Sequence, residues 1–134
     1  MKKLVNIITS LISSYSMADQ DPMVAYTIIE EGRGVLLDSR EKAELEDGMI
    51  EGGHWLPVSA LDNKSTLERL RNLREQQIKL FIYGNEDNSS GRLQDFLRQN
   101  KIEAADLGSF EDLEEILPVK FYYESSGMSE NQML

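Results

Sequence analysis

Cysteine is absent from the 134-residue chain. That excludes disulfides, thiolate metal sites and every mechanism that begins with a cysteine nucleophile. It leaves the redox compartment open, because a cysteine-free chain is at home in either one. Histidine is nearly as scarce. His54 stands alone, so a His-based metal site or a Ser-His-Asp triad would have to run through that one residue. Positive charge is also in short supply: 24 acidic against 14 basic residues give a net charge of −10. Such a surface argues against nucleic acid or anionic membrane as a partner, and suits a soluble protein or a basic protein partner. No apolar run is long enough to span a bilayer. No cofactor is expected.

What remains is enough for one globular domain. The apolar share is 40%, sufficient for a real core. Residues 1–14 read as an amphipathic helix with Leu4, Ile8 and Leu11 on one face, continued by Tyr15. The alternative is a secretory signal, since Lys2-Lys3 precede an apolar stretch and Ser16-Met17-Ala18 resembles a cleavage site. The first reading implies a cytoplasmic protein, the second a periplasmic one. Asp21-Pro22 is a helix start, with Val24, Ile28 and Ile29 as its buried face and Gly32 and Gly34 as its stop. Val35–Leu37 reads as a buried strand ending at Asp38, and Glu41–Glu46 as a helix of at most two turns. Asp47-Gly48 and Gly52-Gly53 mark turns. His54–Leu56 is a short strand closed by Pro57. Ser65-Thr66-Leu67-Glu68 has the form of a capping box opening a helix with Leu67, Leu70 and Leu73.

The stretch from Lys79 to Arg92 organises the rest. Lys79–Tyr83 suits a central parallel strand, Gly84–Ser89 a polar loop, and Ser90 an N-cap for a helix carrying Leu93, Phe96 and Leu97. A last strand follows at Ala104–Leu107. Ser109 then caps a helix with Leu113, Ile116 and Leu117. Residues 121–134 read as a flexible tail. Strands alternating with helices predict an α/β domain over 15–120. Its central sheet is mostly parallel and has about five strands, counting a possible one near Tyr15–Met17, with helices on both faces.

The ordered set Val35-Leu36-Leu37-Asp38-Ser39-Arg40-Glu41, Glu44-Leu45, Gly48-Met49-Ile50, Gly52-Gly53 and Leu56-Pro57 resembles the rhodanese-like family. Its pattern there is a hydrophobic strand, Asp-x-Arg, Glu-Phe, Gly-His-Ile, Pro-Gly-Ala and Ile-Pro. Leu80–Tyr83 resembles the strand leading to that family's active loop, and Ala105-Asp106-Leu107-Gly108 its later strand and turn. The resemblance covers roughly residues 15–118.

The resemblance implies a cysteine directly after the strand, carrying a sulfane sulfur held by loop N–H groups. Here that position is Gly84, and the position five residues on is Ser89. Glu86 and Asp87 add negative charge that would disfavour a thiolate and repel thiosulfate. The stretch Gly84, Asn85, Glu86, Asp87, Asn88, Ser89 and Ser90 is therefore expected to be a degenerate active-site loop without a catalytic residue. Asp38 and Arg40 are expected to support the loops through an ion pair and hydrogen bonds. A hard cation on Glu86, Asp87, Asn88 and Ser89 is a weaker possibility, and no metal site is assigned. His54 reads as a loop or partly buried residue beside Trp55. Met17, Met23 and Met49 read as core filler or surface.

Two acidic groups, Glu44–Glu51 and Glu111–Glu115, read as solvated faces that would suit a basic partner if they converge. The expected function is a catalytically inactive binding or regulatory module, with another protein as partner. The alternatives are a sulfurtransferase-related enzyme using a non-thiol route or a partner's cysteine, and a purely structural module.

Overall fold

The computed structural model describes residues 15–60 and 63–121. Four parallel strands form the sheet: β1 (Gly34–Asp38), β3 (Gly53–Trp55), β4 (Lys79–Gly84) and β5 (Ala105–Ser109), in the order β3-β1-β4-β5. The two-residue strands β2 (Met49–Ile50) and β6 (Val119–Lys120) pair antiparallel as a separate ribbon. Four helices accompany them: α1 (Pro22–Glu30), α2 (Lys64–Glu75), α3 (Ser89–Gln99) and α4 (Phe110–Leu113). Single turns of 3-10 helix lie at Ala18–Gln20 and Val58–Ala60, with a longer one at Lys42–Asp47. The helix expected at residues 1–14 and, apart from Phe121, the tail expected over 121–134 lie outside the described residues.

Strand periodicity divides the core in two. Leu36, Phe81, Tyr83, Ala105 and Leu107 face α1 and α4, where they meet Ala25, Ile28, Phe110 and Leu113. Leu37, Leu80 and Ile82 point the other way, onto Leu70 of α2 and Leu93 and Leu97 of α3. Every residue from Leu80 to Tyr83 is fully buried. Burial on both faces is why β4 reads as an unbroken apolar run rather than an alternating one.

The main sheet has four strands, one fewer than expected. No strand forms near Tyr15–Met17. Instead the Tyr15 hydroxyl accepts a hydrogen bond from the Leu80 N–H (2.6 Å) and donates to the Leu80 carbonyl (3.1 Å). β5 joins β4 only from Phe81 onward, so a side chain supplies at Leu80 what a neighbouring backbone would have supplied. The Tyr15 ring stacks edge-on against Phe81 at 5.9 Å. Burial pushes its phenol up to about 12.

Other boundaries shift for local reasons. Asn63, not Ser65, caps α2, accepting from the Ser65 N–H at 2.9 Å. Asp21 caps α1 as expected, but the buried positions are Ala25 and Ile28, while Val24 is exposed. Ser109 caps α4, a single turn that ends before Ile116, which is exposed. Met49 is buried, Met17 and Met23 exposed. The β2–β6 ribbon, with the Glu51 N–H on the Pro118 carbonyl at 2.8 Å, draws the two acidic segments together.

Asp19 anchors the first 3-10 turn to the start of β4 by a side-chain hydrogen bond from Lys79. That bond, outweighing the opposing effect of burial, holds the Asp19 carboxyl below its ordinary 3.8. A depressed carboxylate adds stability above its unfolded pKa, and that increment fades as pH falls toward the folded one. Wild type is therefore expected to exceed Asp19→Asn in urea midpoint at pH 7, with the gap closing below about pH 4. A gap that does not change with pH would show that the ion pair contributes nothing.

Candidate functional site

All four parallel strands end on the same edge, where Asp38 pairs in register with Tyr83 and Trp55, and Gly84 with Ser109. From β1 the chain runs toward β3, and from β4 toward β5. The carboxyl ends of β1 and β4 therefore flank the point where strand order reverses, the usual place for a site in an open α/β sheet. Ser39 follows β1 at this point, and the stretch Gly84–Ser90 runs from the last residue of β4 into the first turn of α3.

The geometry there is closed by hydroxyls. The Ser39 hydroxyl donates to the Tyr83 carbonyl at 2.9 Å and lies 2.9 Å from the Ser89 oxygen. A carbonyl only accepts, so the Ser39 proton is committed and Ser89 is the donor between the two. The Ser89 oxygen in turn accepts from the Asn85 N–H at 3.0 Å, and Asn85 Oδ1 accepts from the Ser89 N–H at 3.2 Å. A Cβ built on Gly84 would stand 2.2 Å from the Ser89 oxygen, 2.6 Å from the Ser39 oxygen and 2.6 Å from the Ser90 nitrogen. All three lie far inside van der Waals contact. Gly84, the last residue of β4, thus lacks a side chain and has no room for one.

Ser90 is not the cap. The N-cap position of α3 is Asn88, in a left-handed conformation (φ 65°, ψ 36°) and without a side-chain cap bond. The Asn85 side chain serves the first helical N–H instead. Asn85 Nδ2 also donates to Glu44 Oε1 at 3.0 Å, tying the loop to the 3-10 turn at Lys42–Asp47. Arg92 donates to the Asp87 carbonyl at 2.5 Å. Glu86, Asp87 and Asn88 are exposed, while Ser89 and Ser90 are each 2% exposed. Among the described residues no three acidic or histidine side chains converge closely enough to hold a metal ion, and the Ser89 oxygen is already engaged.

Below the loop sits a buried polar cluster. Asp38 is 0% and Arg40 1% exposed. Arg40 donates through Nη2 and Nε to the Asp38 carboxylate at 2.9–3.2 Å, through Nη1 to the Glu44 carbonyl at 3.0 Å, and through Nη2 to the Gly48 carbonyl at 2.6 Å. Its guanidinium lies 4.0 Å from the Phe110 ring centroid. Burial pulls its pKa down, but the Asp38 carboxylate more than restores it, leaving it above the ordinary value. The Tyr83 hydroxyl donates to Asp38 Oδ2 at 2.6 Å and accepts from the Ile50 N–H at 3.0 Å. Burial first, and Asp38 second, push that phenol well up. Trp55 Nε1 donates to the Arg40 carbonyl at 2.7 Å. The cluster thus joins the segments after β1 and before β2 to the end of β3, with Asp38, Arg40 and Tyr83 at its buried centre.

The structure brings Asp38, Arg40 and Gly84 to one edge of the sheet together with Ser39 and Tyr83, which the sequence reading did not single out. His54 lies away from this edge, half-buried in β3, where burial lowers its pKa.

No protein-family profile and no curated protein matches the chain. Solved structures do. The crystal structure of the Alr3790 protein from Anabaena sp. superposes with a TM-score of 0.64 at 21% identity, covering 84% of this chain and 88% of that one. A rhodanese-related protein from Thermoplasma volcanium gives 0.57 at 25% identity, covering 76% and 96%. The solution structure of the rhodanese-like domain of Alr3790 gives 0.56 at 21% identity, covering 85% and 83%.

Proposed function

Since the chain has the rhodanese-like fold, we propose that it is a catalytically inactive form of that fold, serving as a binding or regulatory module. The observation that carries this reading is the filled nucleophile position. Sulfur transfer through this fold needs a thiolate at the end of β4, with N–H donors around it. Here Gly84 has no side chain, and the Ser39 and Ser89 hydroxyls occupy the space one would enter. Neither serine has a neighbouring base to activate it, because their hydrogen bonds go to a carbonyl, to each other and to a backbone N–H.

Gly84–Ser90 then acts as a recognition rim supported by Asp38 and Arg40. Its outer residues Glu86 and Asp87 are exposed and acidic, which disfavours thiosulfate and favours a basic protein surface. The convergence of the acidic segments on the β2–β6 ribbon supports a partner of the same kind.

The test is a thiosulfate-to-cyanide sulfur-transfer assay on the purified chain. The expected rate is the uncatalysed one. Turnover above it would overturn the proposal, and turnover only with added lysate would favour an enzyme that borrows a partner's cysteine.

A further inference from the structure

A cleft opens beside the rim. One wall is Asn85, Glu86, Asn88 and Ser90, and the other is Asp106, Gly108, Ser109 and Asp112. Among the described residues, three carboxylates and no cation line it. Among the described residues no ion pair engages Glu86, Asp106 or Asp112. The Asp106 carboxylate accepts only from the Gly108 N–H, at 2.9 Å.

Ser90 adds an independent sign of a missing guest. It is 2% exposed, yet among the described residues nothing hydrogen-bonds its hydroxyl. Every fully enclosed side-chain polar atom described has a partner. The Ser90 oxygen therefore keeps some residual exposure, and Ser90 is one of the residues that line the cleft. A nearly buried hydroxyl without a partner costs free energy unless something comes to bond it.

The geometry points to a guanidinium as that guest: an arginine side chain presented by a partner protein. This rests on the reading of the domain as a binding module and specifies what the rim binds. The cleft offers acceptors on both walls, from carboxylates and hydroxyls. They are spread around it rather than focused on one point, as a metal ion would require. A planar fork with five N–H donors suits acceptors divided between two walls better than a compact ammonium, whose three donors radiate from one point. The Ser90 hydroxyl then accepts from an N–H it now lacks.

The test is an amide NMR titration of the full chain with N-acetyl-L-argininamide, with the citrulline analogue as its uncharged near-isostere. Expected are saturable shifts at Ser90, Gly91 and Ser109, and none from the citrulline analogue. Glu86→Gln combined with Asp112→Asn is expected to weaken binding about tenfold or more. The Ser109 cap should survive, because it uses the Asp112 backbone N–H; unchanged spectra elsewhere would verify the fold. Absence of saturable shifts, equal shifts from the citrulline analogue, or indifference to the double variant would each overturn the proposal. A capped Ala-Arg-Ala peptide is expected to bind at least as tightly as the amino acid; exclusion of the peptide would make the cleft a small-molecule site and remove the partner. A null titration without sulfur-transfer activity would sink only the guest, whereas sulfur transfer would sink the module reading itself.

Discussion

Arg40→Leu should lower the unfolding free energy by about 3–5 kcal/mol, the usual cost of leaving one member of a buried ion pair behind. The wild-type guanidinium is 1% exposed and serves three acceptors at once. Without it, the Asp38 carboxyl is left buried with only the Tyr83 hydroxyl and the backbone N–H of residue 40 as donors. The Glu44 and Gly48 carbonyls lose their donor too. Domains of this size have about 5–15 kcal/mol in total, so the variant should sit near its folding threshold. Arg40→Lys should be nearly as damaging, since one ammonium cannot replace a fork that reaches a carboxylate and two carbonyls. Adding Asp38→Asn should recover part of the loss, because the stranded charge goes with it. Urea denaturation at pH 7 measures all three. A loss below about 1 kcal/mol for Arg40→Leu would mean that water reaches the cluster and the pair is not truly dry.

Gly84→Ala should cost about 1–3 kcal/mol, although alanine normally stabilises a strand relative to glycine. The sign reverses because the added methyl would stand 2.2 Å from the Ser89 oxygen and 2.6 Å from the Ser90 backbone nitrogen. Moving the serine is not enough, for the backbone contact remains and belongs to the first turn of α3. Gly84→Cys should behave similarly and show no sulfur transfer, on steric grounds added to the charge of Glu86 and Asp87. Combining Gly84→Ala with Ser89→Gly should relieve part of the cost, and the two changes should be non-additive by 0.5 kcal/mol or more, roughly the range for residues in contact. Thermal unfolding of the four proteins in that cycle provides the measurement. A Gly84→Ala protein as stable as wild type, or a freely active Gly84→Cys, would show that the pocket can open.

Much of this architecture is legible in the chain because its signals are local. β4 appears as five successive buried residues, Asp21-Pro22 starts a helix wherever it occurs, and Ser109 caps the residue three ahead. Asp38 and Arg40, two residues apart, could be paired on paper. What escaped reading is what depends on distance along the chain. Ser39 meets Ser89 across 50 residues, and Tyr83 meets Asp38 across 45; no window contains both partners. The β2–β6 ribbon is two residues long on each side, too short for any periodicity. Tyr15 imitates a strand with its side chain, so a reading of backbone propensity placed a strand there. Ser90 lost the capping role to Asn88 and Asn85 because the loop turns through a left-handed residue, and asparagine tolerates that conformation better than serine.

The mutual hold of Ser39 and Ser89 bears on how such a chain can diverge. A substitution that introduces a thiol at Gly84 enters an occupied space, and one that removes Ser89 first strips the Asn85 N–H of its acceptor. Each single step is unfavourable, and only the combination restores a consistent loop. The three positions are therefore coupled: an exchange at one is expected to be tolerated only with matching exchanges at the others, while the exposed outer rim is free to vary.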